Sequence, residues 1–289
     1  MAKVTQRCAE SPDRPVFICD FSPPRGGDPA LLDGAKSLDA DFLCVAYSPG
    51  KAVRVDSAMA AHVLRRQMGK EVVFTQATRD MNRLAIQSHL LGASLLGLEN
   101  VIVIGGDPFT ERDLATVKEV NDFTSTELIA AIKSMNQGRD FRGLKLRSPT
   151  DFCVGATVDL GREVDREARL AHRKVSAGAD FLVTQPVYSL DQVEGFRERY
   201  ESVAGEGLLP PTFFGLQVLE VNGLTFGDVP ERFRVDLDKG RTGTDIAIEM
   251  LHDFVAGGVR NIYLISPILR GGRRDYKAAQ RVLEASRGL

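Results

Sequence analysis

One junction recurs four times along this chain and constrains its fold more than any other feature. It reads LDADFLCVAYS, LGLENVIVIGG, AGADFLVTQP and GGVRNIYLISP. In each, a helical pattern ends in a short turn, mostly with Gly. An Asn or Asp follows, and then an unbroken apolar run. Gly suits the end of a helix because it accepts a positive φ. An unbroken apolar run describes a strand buried on both faces, as in a parallel sheet.

Read this way, the sequence predicts eight strands, near 15–21, 41–47, 71–76, 100–105, 152–158, 180–185, 211–218 and 261–266. Helical patterns separate them. After the third strand, Leu84, Leu91, Leu95 and Leu98 form one apolar stripe, with Asp80 as the N-cap. Thr124 with Glu127, and Ser189 with Gln192, have the spacing of capping boxes. A helix over Thr244–Val255 ends at Gly257-Gly258, and a last helix near 274–286 closes the chain. Strands and helices alternating eight times belong to the α/β class. They fit a (β/α)8 TIM barrel, one domain over 1–289, better than a doubly wound sheet. No G-x-G-x-x-G follows the first strand, so the dinucleotide fingerprint is absent. Segments 107–123, 136–151 and 219–243 are long and polar. The first and third follow strands, which puts them at the face where barrels carry their chemistry.

Composition narrows the partners. The 289 residues are 43% hydrophobic and 26% charged, with a formal net charge of -2. A nucleic-acid protein would show a basic excess, so none is expected as a partner. No apolar run approaches the ~20 residues that span a membrane. The N-terminus lacks the apolar centre of a signal peptide, and a cytoplasmic location is expected. The cysteines, Cys8, Cys19, Cys44 and Cys153, show no C-x-x-C spacing, and the last three read as buried, inert thiols. His62, His89, His172 and His252 lack partners at metal spacing, so no metal is expected. A monomer and a homo-oligomer are both compatible with the sequence.

In a barrel the informative residues close the strands. The first strand ends at Asp20, and an acid there is costly to bury unless it is used or paired. Partial burial favours the protonated form, which suits a general acid. Pairing with Arg25 or capping a helix is the structural alternative. The fourth strand ends Gly105-Gly106-Asp107-Pro108. Glycines let a flat ligand approach the backbone, and a carboxylate accepts two donors from an amino-pyrimidine edge. An ordinary turn is the alternative. The sixth strand ends at Gln185, whose amide both donates and accepts. The third strand runs into Thr78-Arg79-Asp80-Met81-Asn82-Arg83, partly a helix N-terminus that favours an anion. Glu167, Arg173 and Lys174 read as a solvated helix face.

Asp20-Phe-Ser-Pro-Pro-Arg25, Ala77-Thr-Arg-Asp-Met-Asn-Arg83 leading into LAIQSHLLGASLLGLENVIVIGGDP, and RKVSAGADFLVTQPVY occur in order over most of the chain. Together they resemble the methylenetetrahydrofolate reductase family. The resemblance implies a (β/α)8 barrel that reduces 5,10-methylenetetrahydrofolate to 5-methyltetrahydrofolate, or runs in reverse. It implies NADH or NADPH as electron donor, usually through FAD, with FMN or flavin-free direct transfer as alternatives, and tetrahydrofolate derivatives as partners. The family's catalytic Glu falls on Asp20, whose shorter side chain moves the acid by ~1.5 Å. The family's folate-binding Asp and Gln fall on Asp107 and Gln185, and Asp107 also stabilises the cation formed in the reaction. The implied cofactor set is Tyr47, Thr75, Thr78, Arg79, Asp80, Asn82, Gly106, Thr157, Glu167 and Lys174. The chain departs from the bacterial pattern at Ala46, Thr75, Thr157 and Gly105, where Thr, His, Tyr and Arg are usual.

Three rivals stand beside this. One is flavin-free reduction. Another is a folate-binding accessory protein without catalysis. The third is a barrel lyase or aldolase, which needs a strand-end Lys; Lys51, Lys145 and Lys174 do not close strands. Arg139, Arg142, Lys145 and Arg147 suit either a polyglutamate tail or a solvated loop.

Overall fold

The computed structural model describes residues 2–205, 207 and 210–289. Eight parallel strands close into one barrel in sequence order. They are β1 (Val16–Phe21), β2 (Phe42–Val45), β3 (Val72–Ala77), β4 (Asn100–Ile104), β5 (Cys153–Val158), β6 (Phe181–Pro186), β7 (Thr212–Gln217) and β8 (Asn261–Ile265). β8 returns to pair with β1, Val16 opposite Asn261 and Cys19 opposite Leu264. Every predicted strand is present, because each apolar run serves two cores at once. One alternation of side chains fills the barrel: Ile18, Phe42, Cys44, Val73, Ile102, Cys153, Phe181, Val183 and Phe213. The other alternation meets the helices. Gly155 takes the place of a side chain inside, where a Cβ would lie 2.4 Å from the Phe181 ring.

In chain order the helices are α1 (Val4–Glu10), α2 (Ser57–Met68), α3 (Arg83–Leu95), α4 (Glu111–Leu114), α5 (Ser125–Asn136), α6 (Val164–Ser176), α7 (Leu190–Ala204), α8 (Glu231–Asp238), α9 (Gly243–Ala256) and α10 (Tyr276–Ala285). The connection between β1 and β2 is a 3-10 helix, Pro29–Ser37. α1 has no counterpart in the sequence reading. It seals the N-terminal end of the barrel, where Asn100 accepts from Val4 N at 3.0 Å and donates to Ala2 O at 2.9 Å.

Three local expectations need correction. On α3, Leu84, Leu91 and Leu95 are exposed, and Leu98 lies beyond the helix in the core. Ile86, Leu90 and Ala93 face the barrel instead, with Gln87 bonded to Phe141 N. The cap of α3 is Asn82, which accepts from Ala85 N, while Asp80 binds Arg79. Thr124 and Glu127 do form their capping box. Ser189 makes no side-chain cap bond; Gln192 accepts from Tyr188 N instead. Among the described residues, no helix is long and apolar enough to cross a membrane.

Candidate functional site

The strand ends open on a cavity of about 190 Å³ whose lining is mostly apolar. Asp20 stands at its floor and is buried. Its partner is neither Arg25 nor a helix cap. Arg274, from the loop after β8, brings Nη2 to 2.9 Å from Asp20 Oδ2, and both side chains are only 7% exposed. The Tyr263 hydroxyl donates to Asp20 Oδ1 at 3.4 Å. The ion pair is close but not aligned as a hydrogen bond, and the Arg274 Nε and Nη1 atoms are buried without partners. Such a pair, stripped of water and incompletely bonded, is costly for the fold. Burial, with Asp20 alongside, raises the Tyr263 phenol well above its ordinary value and keeps it protonated. Tyr276 stacks on Phe21 and accepts a hydrogen bond from Ser22 N, which fixes the chain leaving β1.

Asp107 and Gln185 also line this cavity. Neither side chain is hydrogen-bonded among the described residues, so donor and acceptor capacity is left for a ligand. An irregularity in the sheet places Gln185. The register between β6 and β7 shifts between Val183 and Pro186, and Thr184 Oγ1 accepts from Gly215 N at 2.9 Å. Gly215 is needed here, because a Cβ would sit 2.7 Å from the Gln185 backbone. Bulges of this kind re-aim side chains at strand ends. Phe226, from the segment after β7, completes the lining, and its backbone is held by Gln217 and Tyr188.

A second cavity, of about 370 Å³, shares Tyr47, Asp107, Thr157 and Gln185 with the first. Gly106, Arg79, Glu167 and Lys174 line its other parts. Gly106 has φ +87, a conformation that side chains rarely adopt. Glu167 and Lys174 are buried, not on a solvated face. Lys174 Nζ donates to Thr157 O at 2.6 Å, and Glu167 accepts from Asp159 N. Burial pulls the Lys174 ammonium below its ordinary value despite Glu167 nearby. Arg79 grips Asp80 through Nε at 2.6 Å and Nη2 at 2.8 Å, and donates from Nη1 to Asp107 O at 2.6 Å. It also lies over the Phe109 ring. Burial pushes the Tyr47 phenol up, and the nearby Asp80 adds to this.

The structure therefore brings together Asp20, Tyr47, Thr75, Arg79, Gly106, Asp107, Thr157, Glu167, Lys174 and Gln185 around two adjoining cavities. Thr78, Asp80 and Asn82 line neither. Thr78 bonds Gly105 O, Asp80 holds Arg79, and Asn82 caps α3. The Thr75 hydroxyl donates to Val45 O at 3.0 Å. Arg139, Arg142, Lys145 and Arg147 sit between α5 and the start of β5, at the far end of the barrel from the cavities. Tyr263, Arg274 and Phe226 escaped the sequence reading. Among the described residues, no group of His, Cys, Asp and Glu is arranged to hold a metal.

Comparison with known proteins agrees with this architecture. The chain superposes on an uncharacterized protein from Clostridium thermocellum, described as binding two copies of 5-methyl-5,6,7,8-tetrahydrofolic acid. The TM-score is 0.67 at 12% identity, over 99% of this chain and 100% of that one. It also superposes on a 2,3-dimethylmalate lyase, a PEP mutase/isocitrate lyase superfamily member. There the TM-score is 0.50 at 12% identity, over 92% of this chain and 78% of that one. At such identities the likeness is one of fold. The sequence itself says more, because the profile of the methylenetetrahydrofolate reductases matches residues 3–267. With a barrel closed in order and nearly all of it inside that match, the chain belongs to the methylenetetrahydrofolate reductase family.

Proposed function

We propose that this protein interconverts 5,10-methylenetetrahydrofolate and 5-methyltetrahydrofolate, with a nicotinamide nucleotide as the partner in hydride transfer. One observation carries the reading. A buried carboxylate, Asp20, closes the floor of a mostly apolar cavity, while Asp107 and Gln185 line the same cavity with their polar groups unspent. A pterin is flat, and its amino-pyrimidine edge offers donors beside acceptors. Asp107 accepts from that edge and places negative charge near the iminium cation that forms when the methylene bridge opens, an effect worth a few kcal/mol. Gln185 fixes the ring's orientation. Asp20 exchanges the proton of N10: it gives the proton as the bridge opens and takes it back as the bridge closes. Family membership supports the reading, as does the folate ligand of the Clostridium thermocellum neighbour.

We assign a flavin nucleotide to the second cavity. Lys174 is buried there with one hydrogen bond for three N–H groups. Tyr47, Gly106, Arg79, Glu167 and Lys174 would hold it, with FAD ahead of FMN. When bound, a flavin supplies a two-electron hydride store. Ala46, Thr75 and Thr157 line the first cavity where the family more often has larger or more polar groups.

The test is an absorption spectrum of the purified protein, followed by anaerobic assays in both directions. Reduced nicotinamide should be consumed when methylene-folate is added, or formed when methyl-folate is added. A flavin band supports the second-cavity assignment, and activity without a band supports direct transfer. Tight folate binding with no turnover in either direction overturns the enzymatic reading in favour of an accessory binding protein.

A further inference from the structure

Arg274 was invisible to the sequence reading, yet it makes the one ion pair that Asp20 has among the described residues. The surroundings of Asp20 can be named element by element. Cys19 neighbours it on β1, Cys44 faces it from β2, and Tyr263 from β8; Arg274 comes from the loop after β8, and Tyr276 from the start of α10. The two thiols and two phenols are all raised by burial, Cys19 to about 12, and so are neutral at ordinary pH. Among the described residues Arg274 is therefore the only charged group paired with Asp20. A guanidinium keeps its charge in any protein environment. A carboxylate buried without such a partner would favour its neutral form.

We propose that Arg274 is a positioning residue that, with Tyr263, fixes the buried Asp20 side chain for proton exchange with N10. The proposal rests on the folate reading above and deepens it. The step balances. A hydride leaves the N5 methyl group for an oxidised nicotinamide, which is reduced. The N10 lone pair then attacks the resulting methylene iminium carbon and forms the C–N10 bond. The N10–H bond breaks, and its proton passes to Asp20 and then to water. The Tyr263 hydroxyl bonds one carboxylate oxygen and Arg274 lies against the other, which fixes the plane in which Asp20 receives the proton. The reductive direction uses the same groups in reverse, Asp20 giving the proton to N10.

The test uses the full-length wild type, Arg274→Met and Arg274→Lys. For each, kcat/KM is measured against pH in both directions, with folate affinity and thermal unfolding as controls. In the wild type, methylene-folate reduction should gain on methyl-folate oxidation as pH falls, because reduction consumes a proton. Arg274→Met should move the acid limb of oxidation upward by about one pH unit or more, a loss of about tenfold on that limb. At any one pH it should change both directions by the same factor, because their ratio is fixed by the equilibrium, and Arg274→Lys should restore the limb. Tyr263→Phe, which keeps the ring, should move the limb the same way by less, and it serves if Arg274→Met does not fold. An unmoved limb in a folded Arg274→Met or Tyr263→Phe overturns the proposal but leaves the folate reading intact. A wild type that turns over in neither direction overturns both.

Discussion

Asp107 and Gln185 show how a single side chain can be read from sequence and then tested. Each is a polar residue at or just past the end of an apolar strand, Gln185 half-buried and Asp107 exposed, where its polar atoms can meet a ligand. Replacing Gln185 with Ala removes donor and acceptor together, without leaving a protein partner unpaired. Folate affinity measured by titration is expected to fall about tenfold, as for one or two lost hydrogen bonds of ~1 kcal/mol each. Asp107→Asn keeps the shape but loses the charge, so kcat should fall more than affinity. Asp20 was legible for the same reason as these two. Tyr263 and Arg274 were not. Tyr263 lies inside the apolar run NIYLI and reads as core. Arg274 stands in a basic stretch with Arg270 and Arg273, which are exposed, and only the fold distinguishes it from them. Asp80 makes a prediction of its own. Burial pushes its carboxyl up, but the bonds from Arg79 outweigh this and hold it below the usual carboxylate range. A folded-state value below the unfolded one means that the stabilisation is present above about pH 4 and is lost as pH falls through the folded value. Asp80→Asn should therefore lower the urea midpoint at neutral pH, and the gap from wild type should close on acidification.

Whole strands were easier to read than helix faces, and α3 shows why. Strand runs such as VIVI of β4 are buried on both sides, so no face needs to be chosen. The α3 sequence RLAIQSHLLGASL is apolar on two faces, and the leucines at 84, 91 and 95 make the more regular stripe. The barrel instead takes Ile86, Leu90 and Ala93. Periodicity can register that a helix is amphipathic, but it cannot rank two apolar faces by how well they fit a curved sheet. The consequence is a pair of opposite expectations. Leu90→Ala should destabilise by about 2–5 kcal/mol, as a buried leucine truncation does. Leu95→Lys, at a residue 88% exposed, should stay within about 0.5 kcal/mol of wild type. Denaturant unfolding of the two variants decides between the observed face and the regular stripe, because the stripe would reverse the order.

At the scale of the molecule, the barrel separates stability from chemistry along its axis. The C-terminal ends of the strands carry Asp20, Asp107 and Gln185, together with an ion pair in which Arg274 Nε and Nη1 are unsatisfied. The N-terminal ends are closed by α1, with Val4 in the interior cluster and Asn100 bonded to Ala2 O and Val4 N at the start of the helix. That closure could not be read from VTQRCAE, which carries little apolar pattern of its own and is ordered by the barrel beneath it. If the division holds, the two ends should respond independently to mutation. Asn100→Ala leaves the Val4 amide buried without its acceptor, which costs about 1–3 kcal/mol. In a chain of this size that amounts to a thermal midpoint lower by several degrees. Folate affinity and turnover should stay within about twofold of wild type, because no cavity wall depends on Asn100. Gln185→Ala should give the converse, weakened folate binding with an unchanged midpoint. If Asn100→Ala instead impaired turnover as much as stability, the strands would be transmitting strain from one end of the barrel to the other, and the N-terminal plug would belong to the active site's support.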